Sequence, residues 1–233
     1  MESYKLAQES YKGSAEKSVN GWTLVEESPT LKIYNKGGRM IVAIRGTNDA
    51  EDVKADVLLG VNKLESSSRF QKDKQFLEDF QRRNPQYEYE GVGHSLGGAV
   101  LDLFLRNGMI KKGTSFNPAI QPRDFNQQLS NRRIFMEGDP LYNLAKPFLK
   151  QKPEVINENI PWWKKAARFT PLGNVLTGGE YLQAHGLGQF EGKVSDTELY
   201  GQQKHQAEGS QKVHNTVSQL LEKEFSQKLI ANQ

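Results

Sequence analysis

Apolar and polar residues alternate over Trp22-Thr-Leu-Val-Glu26 and again over Leu31-Lys-Ile-Tyr-Asn35. A period of two marks half-buried strands, and Ser28-Pro29 between the runs predicts a hairpin. After a turn at Lys36-Gly37-Gly38, Met40-Ile-Val-Ala-Ile44 is continuously apolar, as a strand covered on both faces should be. The period then lengthens. Val53, Val57, Leu58, Val61 and Leu64 predict a helix over 49–64, and Phe70, Phe76, Leu77 and Phe80 predict a second over 69–83, ended by Asn84-Pro85. A strand over 87–93 and a helix from Leu96 follow, the helix packing Ala99, Val100, Leu103 and Phe104 and stopping at Asn107-Gly108. Thr114-Ser-Phe116 and Arg133-Ile-Phe-Met136 read as two further short strands, and the first residues (Tyr4, Leu6, Ala7, Tyr11) as a short docked helix. Strands alternating with helices predict an α/β fold with a mostly parallel central sheet and an antiparallel addition at its N-terminal edge.

Beyond Asp139 the pattern weakens. Prolines and glycines punctuate 145–180 around Pro161-Trp-Trp-Lys-Lys-Ala-Ala-Arg-Phe169. Gln, Lys, Asn and Glu crowd the last thirty-five residues, where one amphipathic helix is expected between Val213 and Ile230. The expected organisation is one α/β domain over 1–197 and a polar extension over 198–233.

Composition changes this picture in three places. The 233 residues contain no cysteine, which excludes disulfides, thiolate metal sites and a cysteine nucleophile. Thirty-one basic against 28 acidic residues leave a net charge of +3, too small to argue for a nucleic-acid partner. No apolar run approaches the ~20 residues of a membrane span, and the N-terminus lacks a basic-then-apolar leader. A soluble protein, cytoplasmic at synthesis, is the expectation.

The chemistry concentrates in Gly93-His94-Ser95-Leu96-Gly97, a G-x-S-x-G pattern between a predicted strand and a predicted helix. A serine on such a turn stands above the sheet edge, beside unpaired helix N-terminal N–H groups. Gly93 and Gly97 remove side chains that would collide with the tight turn. Ser95 is the candidate nucleophile, and His94, inside the turn, should point away. A serine needs a base, and the base needs an orienting acid. In α/β-hydrolases, which such an elbow resembles, the order is serine, acid, histidine, which would leave His185, His205 and His214 as bases. Asp139, in Glu137-Gly-Asp-Pro140 after a strand, is the first candidate acid, and Asp124 the second.

Several blocks together resemble the class 3 lipase family, a branch of the α/β-hydrolases that includes fungal and plant triacylglycerol lipases. Ile41-Val-Ala-Ile-Arg-Gly-Thr47 is similar to that family's strand ending in Arg-Gly-Thr/Ser, with Asp56 where a downstream acidic residue usually sits. Gly93-His-Ser-Leu-Gly-Gly-Ala99 is similar to its nucleophile elbow, Ser115-Phe-Asn-Pro118 to the strand after it, and Gly138-Asp-Pro-Leu141 to its acid loop. Ala184-His-Gly-Leu-Gly-Gln-Phe190 is similar to its closing histidine motif. The resemblance spans about 5–190. It implies a compact α/β-hydrolase, with 44 residues from Ser95 to Asp139 and 46 from Asp139 to His185.

It also implies His185 as base, oxyanion N–H groups from Thr47 and Leu96, an acyl-lipid or other ester substrate, and no metal or organic cofactor. Arg45 is expected to pair with a carboxylate that steadies the oxyanion loop. Trp162 and Trp163, beside Lys164, Lys165 and Arg168, are candidates for a lid or a transient lipid-interface anchor; the bland alternative is packing of a long connection onto the core. The same triad would serve a soluble esterase, an acyltransferase or a peptidase, and a hydrolase fold without a working triad would serve binding alone.

Overall fold

The computed structural model describes residues 2–47, 63–156 and 186–194. A first helix, α1 (Glu2–Glu9), leads into a meander of strands β1 (Ser18–Val19), β2 (Trp22–Glu27), β3 (Leu31–Lys36) and β4 (Arg39–Ile44). Helix α2 (Ser68–Arg83) precedes β5 (Tyr89–His94), and α3 (Leu96–Arg106) precedes β6 (Lys112–Phe116). Strand β7 (Asn131–Met136), the short helix α4 (Pro140–Ala145) and β8 (Glu154–Ile156) complete the described elements. The expected helix over 49–64 lies outside the described residues except for Lys63 and Leu64. Leu64 begins a 3₁₀ turn and is buried. The expected C-terminal helix, Asp56, Trp162 and Trp163 also lie outside them.

All eight strands form one sheet in chain order. The pairs from β1 to β4 are antiparallel, and those from β4 to β8 are parallel. The architecture is a mostly parallel α/β sheet with an antiparallel addition at its N-terminal edge, as the alternating pattern predicts. Residues 1–197 group as one compact unit, Met1–Thr197.

Each sheet face has its own core. On one side Phe70, Leu77 and Phe80 of α2 and Val100, Leu101 and Phe104 of α3 pack on Ile33, Val42 and Ile44. On the other, Tyr4, Leu6 and Ala7 of α1 join Ile41, Ala43, Val92, Phe116 and Phe190. The unbroken apolar run of β4 follows from this arrangement, because alternate residues face different helices. Helix α2 starts where Ser67 accepts the Phe70 N–H, a side-chain cap at 3.1 Å. It ends just before Asn84-Pro85.

Strand β8 and helix α4 lay beyond what the pattern signalled. Glu154-Val-Ile is three residues long at the sheet edge, and α4 is six residues long, both too short to display a period. Among the described residues no helix is long and apolar enough to cross a membrane.

Candidate active site

Parallel strands place their carboxyl ends along one sheet edge, where the candidate residues gather. Ser95 follows β5 directly and caps α3. Its φ of 54° and ψ of −125° lie in a region that L-residues rarely occupy. Such strain costs on the order of 1–3 kcal/mol and persists only where surrounding contacts impose it. Here they do so from both sides. The Ser95 N–H donates to the Phe116 carbonyl at 3.1 Å, and the Ser95 carbonyl accepts from Gly98 at 2.9 Å and Ala119 at 3.0 Å.

The elbow glycines are needed for close approach. A methyl group at Gly93 would lie 2.5 Å from the Gly97 carbonyl oxygen and 2.9 Å from the Gly98 nitrogen. One at Gly97 would lie 3.0 Å from the carbonyl carbons of both Ile44 and Arg45. The obstacles are backbone and cannot rotate away. Gly97→Ala is therefore expected to destabilise the fold by about 3 kcal/mol, as overpacking does, read as a lower urea midpoint.

The chain after β4 runs past this turn. A methyl group at Gly46 would lie 2.5 Å from the His94 carbonyl oxygen and 3.2 Å from Ser95 Cβ. The Arg45-Gly46-Thr47 segment thus lies against the nucleophile, with Thr47 half-buried next to it. Among the described residues the Arg45 Nε has no hydrogen-bond partner, and the described ties of the loop run through Arg45's main chain. The Arg45 N–H donates to the Thr30 carbonyl at 2.9 Å, and the Arg45 carbonyl accepts from the Arg69 guanidinium. Leu96, half-buried, opens α3, so its N–H belongs to the first turn, which has no intrahelical acceptor. The helix dipole adds positive potential there.

Asp139 is fully buried and follows β7 through a tight turn, in which Gly138 takes φ +90° and the Asp139 N–H reaches the Met136 carbonyl at 3.1 Å. Asp139 Oδ1 accepts the Tyr142 N–H at 2.9 Å, capping α4 and fixing the carboxylate's orientation. Only β6 separates β5 from β7. Their ends therefore lie about 10 Å apart at ~4.8 Å per strand, a gap that an imidazole between inward-leaning side chains can bridge.

Asn117 ties the end of β6 to β7. At φ 40°, its N–H donates to the Ile134 carbonyl at 2.8 Å and its Oδ1 accepts the Met136 N–H at 2.9 Å. Asn117 lay within the quoted Ser-Phe-Asn-Pro block without a role. An asparagine just past a strand end was the available signal, since asparagine tolerates left-handed backbone.

Asp124, the second candidate acid, is elsewhere. It is fully buried beside Arg106 at 3.3 Å. Arg106 ends the helix that Ser95 begins, and 11 residues at 1.5 Å each put roughly 16 Å between the helix ends. Asp124 therefore sits by the far end of α3 from Ser95. Asp124 instead belongs to a buried cluster in which Asp102 binds Arg133 at 2.9 Å and Asn131 at 2.7 Å.

Burial, then repulsion from Asp102, pushes the Asp124 carboxyl up to about 6 from an ordinary 3.8, against the opposing pull of Arg106. The folded protein thus keeps a proton between about pH 4 and 6 that the unfolded chain releases, so stability falls as pH rises through that window. Asp124→Asn should raise stability at pH 8 by on the order of 2–3 kcal/mol. Near pH 3.5 the two proteins should have the same denaturation midpoint.

His94 meets Tyr11, with Nδ1 2.7 Å from the Tyr11 hydroxyl. His185, His205 and His214 lie outside the described residues. The segment just after His185 is described, and Phe190 is fully buried edge-on to Phe116, with ring centroids 5.2 Å apart. Phe116 is the same residue whose carbonyl receives the Ser95 N–H. Among the described residues no cluster of three or more His, Asp or Glu side chains could hold a metal ion.

No family model and no curated protein matches the sequence. Among solved structures, the chain is similar to the Lip2 lipase of Yarrowia lipolytica at 16% identity and a TM-score of 0.46, over 69% of this chain and 77% of that one. A mutant form of MDLA from Penicillium cyclopium is similar at 18% identity and a TM-score of 0.42, over 68% and 77%. A fungal lipase is similar at 20% identity and a TM-score of 0.42, over the same shares.

Proposed function

We propose that this chain is a serine hydrolase of carboxylic esters, acting on acyl lipids. The observation that carries the reading is Ser95 at φ +54° on the turn between β5 and α3, with the Gly46-Thr47 backbone packed against it. A fold that serves only to bind has no use for backbone strain at a serine buried at the sheet's carboxyl edge; a nucleophile held on a tight strand-to-helix turn does.

In the proposed mechanism Ser95 Oγ attacks the ester carbonyl carbon while His185 takes the hydroxyl proton. Asp139 holds the imidazole in the tautomer that can accept it and stabilises the imidazolium. The carbonyl oxygen becomes an oxyanion facing the N–H groups of Thr47 and Leu96. Collapse expels the alcohol, which leaves with the proton from His185. Water then gives a proton to His185 and attacks the acyl-serine, and the second oxyanion collapses to release the fatty acid and return the proton to Ser95. Burial of Phe190 against Phe116 supports His185 over the two later histidines, because it fixes the chain five residues past His185 beside the nucleophile's strand.

Fatty-acid release from a triglyceride emulsion, from phospholipid vesicles and from p-nitrophenyl butyrate tests the reading, with Ser95→Ala as control. Serine-dependent release from either lipid is the expected result. Release from the soluble ester alone would replace the lipase reading with a soluble esterase, and no Ser95-dependent release from any would contradict it.

A further inference from the structure

Tyr11 lies in the turn after α1, and it was legible in the sequence only as an apolar anchor. That turn is firmly held. The buried Lys32 ammonium reaches across from β3 to bond the carbonyls of Glu9, at 2.7 Å, and of Lys12. The Tyr11 hydroxyl is thereby brought to two groups far away in sequence. It accepts the Gly46 N–H at 3.0 Å and meets His94 Nδ1 at 2.7 Å, with the two rings edge to face, centroids 5.7 Å apart. Burial pushes the phenol above its ordinary range, so it remains neutral and keeps its proton. That proton is assigned to His94 Nδ1, the acceptor within reach, which puts the imidazole proton on Nε2.

The Gly46 N–H belongs to the peptide that joins Arg45 to Gly46. The carbonyl of the same peptide is held from the opposite direction by Arg69, itself paired with the buried Asp73 at 3.5 Å. One peptide plane is therefore clamped at both ends by side chains from two separate helical regions. The next peptide along carries the Thr47 N–H. A peptide free to rotate would take that donor out of line, whereas a clamped one presents it at no cost at the moment of reaction.

We propose that Tyr11 is a positioning residue for the oxyanion loop: its hydroxyl locks the Arg45–Gly46 peptide to the nucleophile elbow through His94. The role is one of positioning, exerted through the peptide and His94 rather than on the reacting atoms. The proposal rests on the ester-hydrolase reading above and adds a part that none of the recognised sequence blocks contains.

The test is Tyr11→Phe, which keeps the ring and removes the hydroxyl. On p-nitrophenyl butyrate, kcat should fall about 10–100-fold, the scale expected for a donor displaced by up to 1 Å, with KM within about twofold. The inhibition constant of an alkyl boronic acid, whose tetrahedral serine adduct places an oxygen in the oxyanion site, should rise by a similar factor. A purely structural Tyr11 would lower the melting temperature and leave kcat and boronate affinity of the folded protein unchanged, and that result overturns the proposal. Should Tyr11→Phe not fold, His94→Leu removes the other end of the bridge: a lower kcat at constant KM supports the clamp, and an unchanged kcat overturns it. A wild type without Ser95-dependent turnover would overturn the ester-hydrolase reading and the clamp with it. Normal wild-type turnover with an unaffected Tyr11→Phe would overturn the clamp alone.

Discussion

Ser95→Ala is expected to lower ester turnover by about 10⁶-fold, the scale seen when a triad serine is removed, with the fold retained. Alanine keeps the backbone at φ +54° and deletes only the hydroxyl. Ser95→Gly should be equally inactive but more stable than Ser95→Ala, by about 1–2 kcal/mol, because glycine occupies that backbone region with little strain. The paired comparison, made by urea denaturation and by turnover, separates chemistry from conformation. Equal stability of the two variants would mean that the elbow stores no strain. Residual turnover near the wild-type level would remove Ser95 from the mechanism.

Asp139→Asn is the second large effect. The carboxylate has a structural task, capping α4 through the Tyr142 N–H, and that task alone could account for its burial. Asparagine is as good a cap as aspartate, so Asp139→Asn should retain most of the fold's stability. As an orienting group it would stabilise the wrong imidazole tautomer, and turnover should fall on the order of 10⁴-fold. Asp139→Ala should lose the cap as well, about 1 kcal/mol, with a comparable loss of activity. Full activity in a stable Asp139→Asn protein would leave Asp139 as a helix cap and nothing more.

The contrast between these two residues explains what could be read from the chain. The elbow is local: strand, glycine, serine, glycine and helix are contiguous, and each obstacle that requires a glycine is a backbone atom within a few residues or on the adjacent strand β4. The mixed sheet was legible for the same reason, since each strand pairs with its neighbour in sequence and turn signals or helical periods separate the apolar runs. Asp139 was readable by position, at the end of a strand in the right order.

What stayed hidden depends on distance along the chain. Tyr11 contacts Gly46 and His94 across 35 and 83 residues, and a tyrosine on a short helix carries no mark of such partners. Asp124 looked like an acid at a strand end, but its burial beside Arg106 at the far end of α3 depends on packing that periodicity does not encode.

The central claim is that Ser95 is an activated nucleophile. A fluorophosphonate probe reacts with an activated serine through the same attack and oxyanion geometry, and peptide mapping by mass spectrometry locates the adduct. The folded protein should carry one adduct, on Ser95, and lose it on urea denaturation before exposure to the probe and in Ser95→Ala. Folded wild-type protein that gains no adduct at Ser95 would contradict the account.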